Sequence, residues 1–194
     1  MKIMIYNIKG GQGKTDIALN LAMTMGFNFL TNEPLSPIEN CLSDGQFLKL
    51  DPTDAFPNLP DDFDVIFDFG GYLDQRAVTG LKQANYVVVP VVNEIKDVHT
   101  TINFIQEIEA HNNNIIIVAN KTKSTKRQDD YSDIREIMKQ YYPNYPVFNI
   151  KQSRALPSIM EHKMSIAAMV ASGIQRHHYK PVAAQFESLI QEFK

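Results

Sequence analysis

Asn7-Ile8-Lys9-Gly10-Gly11-Gln12-Gly13-Lys14-Thr15 is the stretch that decides the fold. It joins an apolar run, Lys2 to Asn7, that reads as a strand to a segment of helical period, Thr15 to Met25. A glycine-rich turn between strand and helix is where a phosphate loop sits. Glycines let the backbone turn its N–H groups inward on phosphates with no Cβ in the way. Lys14 offers a point charge to β- and γ-phosphates, and the Thr15 hydroxyl offers a ligand to Mg²⁺. The helix N-terminus adds partial positive charge. The common pattern G-x-x-x-x-G-K-[ST] fails, because residue 8 is Ile; K-G-G-x-G-K-[ST] fits, with a second lysine, Lys9, ahead of Gly10 and Gly11. With Gly at ~7% of residues, such a match arises by chance on the order of once in 10⁴ to 10⁵ chains. An incidental glycine turn is therefore a poor account of it.

Outward from the loop, strand-length apolar runs alternate with helical segments. The helix Thr15 to Met25 is expected to face inward with Ile17, Leu21 and Met25, or with Ala18 and Ala22. Phe27 to Thr31 reads as a second strand. Val65 to Phe69, Tyr86 to Val92 and Ile115 to Ala119 are continuous apolar runs, the pattern of strands buried on both faces of a parallel sheet. Helices are expected at Asp74 to Gln83, Val98 to His111 and Ser132 to Tyr142. A last strand at Val147 to Ile150 precedes helices near Leu156 to Glu161 and Val182 to Phe193. That order predicts an α/β fold, a doubly wound and mostly parallel sheet with helices on both faces, as in P-loop NTPases. Glu33 to Asp62 holds five prolines (Pro34, Pro37, Pro52, Pro57, Pro60) and reads as a long surface excursion with one short strand at Phe47 to Leu50.

At 194 residues the expectation is one domain, 1–194, with no N-terminal helix-turn-helix domain, because the first strand starts at once. No apolar run is long enough to span a bilayer, and no signal peptide fits ahead of the loop. The lone Cys41 excludes an internal disulfide and suits a reducing, cytoplasmic setting. A net charge of −3 means that any nucleic-acid contact must come from a local basic patch.

Further residues bear on chemistry. Asp64-Val65-Ile66-Phe67-Asp68 ends a buried strand with a carboxylate, so Asp68 is a candidate for the Mg²⁺ shell, while Asp64 stays at the strand entrance. Gly70 and Gly71 follow it and let a backbone N–H approach a γ-phosphate, as a nucleotide-sensing switch does. The alternative for this stretch is a helix-capping Asp beside a turn. Asn120-Lys121-Thr122-Lys123 stands where a guanine-binding protein needs N-K-x-D, and Lys123 removes the carboxylate that reads guanine.

The phosphate loop resembles that of the ParA/MinD family of deviant Walker ATPases, which segregate plasmids or position cell components. The resemblance implies ATP and Mg²⁺ as ligands and an ATP-bound homodimer in which Lys9 reaches the nucleotide of the opposite subunit, in the manner of an arginine finger. It implies catalytic roles for Lys9, Lys14 and Asp68 and nucleotide contacts along Lys9, Gly10, Gly11, Gln12, Gly13, Lys14, Thr15 and Asp16. Thr15 and Asp68 would serve the metal, Gly70 and Gly71 the switch, and Asn120 the adenine. It further implies a partner protein that stimulates slow hydrolysis. Two departures stand out. Asp16 replaces the family's second Thr or Ser and puts an anion near the α-phosphate. Thr31-Asn32-Glu33-Pro34 replaces the D-x-D-P element, leaving Glu33 to take over part of that role with a longer side chain.

Small ParA proteins contact DNA without sequence preference. Lys121, Lys123, Lys126 and Arg127, then Arg154, Lys163, Arg176 and Lys180, are the basic residues for such a role, or else a solvated surface. MinD-like proteins end in a membrane helix. Here Val182, Phe186, Leu189, Ile190 and Phe193 share a helix face, but the opposite face carries Gln185, Glu187, Ser188, Gln191 and Glu192 with only Lys194 as a cation. Packing on the sheet is the expectation, and a membrane is not an expected partner. His177-His178 lacks partners at zinc-ligand spacing. Partition, conjugative transfer or another plasmid-maintenance task, a metabolic P-loop enzyme, and a degenerate nucleotide-binding protein remain as alternative readings.

Overall fold

The computed structural model describes residues 1–33 and 38–193, so Pro34, Pro37 and Lys194 lie outside the described residues. In chain order the elements are β1 (Lys2–Tyr6), α1 (Lys14–Met25), β2 (Asn28–Thr31), β3 (Phe47–Lys49), β4 (Val65–Phe69), α2 (Gln75–Gln83) and β5 (Tyr86–Val91). There follow α3 (Ile95–Ile108), β6 (Ile115–Thr122), the two-residue strands β7 (Ser124–Thr125) and β8 (Gln128–Asp129), and α4 (Asp130–Tyr141). The chain ends with β9 (Val147–Lys151), α5 (Ala155–His162), α6 (Ile166–Ala171) and α7 (Arg176–Gln191). Seven strands form one sheet in the order β3-β2-β4-β1-β5-β6-β9, and every pairing in it is parallel.

Strand periodicity divides the core in two. In β1, Ile3 and Ile5 point to one face and Met4 and Tyr6 to the other; in β6, Ile116 and Val118 oppose Ile115, Ile117 and Ala119. The first face is covered by α1, α5, α6 and α7, and the second by α2, α3 and α4. Both faces are dry, which is why these strands read as unbroken apolar runs. β1 lies between β4 and β5, so the ends of β1 and β4 sit side by side at the edge where the chain turns into loops. Ligands of open α/β sheets bind at such strand ends.

Several expectations need correction. α1 is buried nearly all round, with Ile17, Ala18, Leu19, Asn20, Leu21 and Ala22 all covered, because α5 and α6 close over the side turned away from the sheet. α3 begins three residues before the expected Val98, and α7 starts at Arg176, running through Pro181. The β7–β8 hairpin and α6 were not foreseen; the hairpin is exposed and too short to carry a periodic signal. The excursion after β2 is not a surface loop throughout. Ile38, Leu42, Leu50 and Phe56 are buried, and Phe56 meets Phe67 edge-on at 5.1 Å between ring centres. The apolar face of α7 is buried too, with Val182, Phe186 and Leu189 in the core and Phe193, just beyond it, 5.4 Å from the Tyr86 ring. Among the described residues no helix is long and apolar enough to cross a membrane.

Candidate nucleotide site

Gly13 caps α1 at φ 79°, and Gly11 has φ 80°, backbone that favours glycine. At Gly13 a Cβ would come within 2.4 Å of the Asn120 amide nitrogen, so the loop and the end of β6 approach as closely as a bare backbone allows. Asn120 is fully buried; its Nδ2 donates to the Gln12 carbonyl at 2.7 Å and its Oδ1 accepts from Lys121 N–H at 2.9 Å. Lys121 reaches back at φ 54° and donates from Nζ to the Gly11 carbonyl at 2.8 Å. The base-contact candidate Asn120 is therefore also a strut under the loop.

Other struts come from β5 and α3. Gln12 is buried, accepts from Val92 N–H at 2.8 Å and donates to Asp97 Oδ2 at 2.6 Å. Its side chain is committed to the scaffold, leaving the backbone as the part that can face a ligand. Asn7 donates to the Pro90 carbonyl at 2.8 Å and Thr101 Oγ1 at 2.9 Å, and accepts from Lys9 N–H at 2.9 Å. Asn7, Asp97 and Lys121 were not singled out from sequence as parts of the loop's support. The Gln12–Asp97 pair is 85 residues apart, and nothing local in the sequence announces it.

The cations sit at two places. Lys14 donates to the Lys9 carbonyl at 3.2 Å. Burial lowers its pKa, an effect that the nearby Asp68 and Glu33 carboxylates oppose. Lys9 is 43% exposed and its ammonium pairs with Asp97 at 3.3 Å, so it lies folded back onto its own chain.

Beside Lys14, Thr15 Oγ1 donates to Asp68 Oδ2 at 2.8 Å. Asp68 has no exposure, and its other oxygen, Oδ1, has no hydrogen-bond partner among the described residues. Burial pushes its pKa up to about 6; Thr15 and Lys14 pull the other way, and the Glu33 and Asp16 charges add to the rise. A buried carboxylate oxygen without a donor is costly. A hydroxyl in the first turn of α1 and a carboxylate near the end of β4 suit Mg²⁺, which takes oxygen ligands and keeps several waters. The residues present thus fit that ion. Burial also raises the Asp16 pKa, while the positive charge of Lys121 opposes the rise.

Gly70 stands next to Lys14: a Cβ there would lie 3.6 Å from Lys14 Nζ and 2.6 Å from Glu33 Oε1. Glu33 is exposed and Thr31 buried, with Thr31 Oγ1 accepting from Glu33 N–H at 3.0 Å. Gly71 has φ 84° and no neighbour within 4 Å of where its Cβ would be. Lys9, Lys14, Thr15, Glu33, Asp68 and Gly70 thus gather at one end of the sheet. Asp64 is apart from them, paired with the Met1 ammonium at the strand entrance. The basic residues are spread over several elements. Lys126 and Arg127 lie at the β7–β8 turn, Arg154 lines a depression of about 860 Å³ between α5 and α7, and Lys180 lines another beside α1.

No protein-family model matches the chain, and no curated protein matches it in sequence. Solved structures do. It resembles the ATP complex of a McdA variant from Cyanothece at 15% identity and TM-score 0.67, over 96% of this chain and 96% of that one. It resembles the septum site-determining protein MinD with Mg-ADP from Pyrococcus horikoshii at 14% and 0.64, over 100% and 98%. It also resembles a ParA family ATPase from Chlorobium tepidum at 15% and 0.64, over 95% and 98%. Identities this low speak to architecture alone, and the architecture of this chain is ParA/MinD-like.

Proposed function

We propose that this chain is an ATPase that uses ATP and Mg²⁺ as a dimerisation switch, in plasmid or DNA partition or in positioning another cargo. The observation that carries the reading is Asp68: a fully buried carboxylate with one oxygen on Thr15 and the other unpartnered, beside Lys14. Apart from a metal–phosphate ligand, that arrangement has only cost. Mg²⁺, when bound, would neutralise phosphate charge; Thr15 and Asp68 would hold it, Asp68 directly or through water. Lys14 and the loop N–H groups would bind the phosphates. Glu33, next to Gly70 and Lys14, would orient the attacking water in place of the missing aspartate.

Lys9 supports the dimer reading. It is the more exposed member of a pair whose carboxylate, Asp97, is anchored by Gln12. Its exchange from Asp97 to the phosphates of a second subunit would make hydrolysis depend on dimerisation. A partner protein, and DNA held by the exposed lysines and arginines, would then sense the nucleotide state. The test is Mg²⁺-dependent phosphate release from ATP by the wild type and Lys9→Ala. Turnover in the wild type that falls at least about tenfold in Lys9→Ala is expected for a lost transition-state cation. Equal turnover would remove the trans-lysine mechanism, and none in the wild type even with a partner would favour a binding protein without turnover.

A further inference from the structure

Asn32 grips Gly70 from both sides. Its Nδ2 donates to the Gly70 carbonyl at 2.9 Å, and its Oδ1 accepts from Gly70 N–H at 3.0 Å. A side-chain amide thereby closes a reciprocal pair with the backbone N–H and C=O of one residue across 38 residues of sequence, from the end of β2 to the end of β4. The peptide it holds is the one beside Lys14, whose Cε lies 3.4 Å from where a Gly70 Cβ would be. Glu33 Oε1 comes within 2.6 Å of the same Cβ position, so the carboxylate end of Glu33 also lies against Gly70. Gly70 thus lies beside the Lys14 ammonium, and in this structure its N–H is already spent on Asn32.

We propose that Asn32 is the residue that sets discrimination between ATP and ADP at this site, by holding the Gly70 N–H that a γ-phosphate must take. The inference rests on the nucleotide reading above. A hydrogen bond from Gly70 to an anionic oxygen is stronger than one to a neutral amide, so a terminal phosphate can win the donor. Doing so forfeits the bond from Gly70 N–H to Asn32 Oδ1 unless the amide oxygen finds a new partner. ADP carries no group that competes for this donor, so the cost falls on ATP alone. The grip also links the ends of β2 and β4, so that the state of Gly70 is felt by Asn32 and by its neighbour Glu33.

Two variants separate this from a merely structural role. Asn32→Ala removes the competitor and leaves Gly70 N–H to water. Asn32→Asp can still accept from Gly70 N–H but cannot donate to its carbonyl, and it places an anion where the terminal phosphate arrives. Dissociation constants for ADP and ATPγS with Mg²⁺ are measured by calorimetry on the full chain. Asn32→Ala should tighten ATPγS by about three- to tenfold, the worth of one net hydrogen bond, with ADP unchanged within about twofold. Asn32→Asp should weaken ATPγS relative to ADP, so the two variants move the ratio in opposite directions. Equal shifts for both ligands, or a ratio that moves the same way in both variants, would overturn the inference while leaving nucleotide binding intact. A wild type that binds neither ligand would overturn the nucleotide reading and this inference with it.

Discussion

Asp68→Asn should raise the stability of the nucleotide-free protein at neutral pH, and by an amount that shrinks as the pH falls. Burial shifts the Asp68 pKa from 3.8 to about 6 in the folded state. Between those values the folded chain holds a proton that the unfolded chain has released, so wild-type stability declines as pH rises through the interval and then levels off. Taking one pKa unit as ~1.4 kcal/mol, the penalty is about 3 kcal/mol at pH 7.5 and about 1.6 kcal/mol at pH 5. Asparagine keeps the acceptor for Thr15 and has no ionisation to suppress. It also deprives Lys14 of a counter-charge and puts N–H groups where Oδ1 had no partner, so the absolute gain will be smaller than the penalty. Those losses depend little on pH over this range. The stability difference between variant and wild type should therefore be larger at pH 7.5 than at pH 5 by about 1.4 kcal/mol, or about 3–6 °C in melting midpoint for a chain this size. Thermal unfolding by circular dichroism at both pH values, without Mg²⁺ or nucleotide, measures it. A difference that stays constant across the range would mean that Asp68 titrates as an ordinary carboxylate and that its burial carries no electrostatic cost to be relieved by a ligand.

Other perturbations probe the loop and its supports. Lys14→Ala should abolish ATP binding in calorimetry, and because it leaves the buried Asp68 carboxylate without its neighbouring cation, the melting midpoint should stay at or below the wild-type value. Gly13→Ala combines φ 79° with a 2.4 Å approach to Asn120, and should cost about 2–4 kcal/mol in urea unfolding. Gln12→Leu leaves Val92 N–H and Asp97 Oδ2 without their partner, and should destabilise by about 2–4 kcal/mol by the same measurement. A loss under about 0.5 kcal/mol would show that Gln12 is no strut.

The sequence made much of the fold legible because both faces of the sheet are dry. Val65–Phe69 was delimited to the residue, and Tyr86–Val91 to within one, since unbroken apolar runs bounded by polar residues leave little freedom. Boundaries slipped where other signals took over. The first turn of α3, Ile95-Lys96-Asp97, has an exposed Ile where periodicity demands an inward one, and Pro181 hid the start of α7. At the site, the residues within one motif, Lys9 to Thr15, could be named because their spacing is local. Asp68 and Gly70 were picked out as candidates from their place at the end of β4, whereas Asn120 was named on the family resemblance and lies inside β6. The groups that lock the loop could not be named. Asn7, Asp97 and Thr101 come together only when β1, β5 and α3 are packed, and Asn32 is one more polar residue after a strand until Gly70 is set against it.

Sedimentation velocity of the purified chain with Mg²⁺ and no nucleotide, ADP or a non-hydrolysable ATP analogue tests the central claim most directly. The account predicts a monomer in the first two conditions, a dimer with the ATP analogue, and a Lys9→Ala variant that remains monomeric in all three. One sedimentation coefficient throughout for the wild type would contradict the switch, and would leave a nucleotide-binding fold whose output is something other than dimerisation.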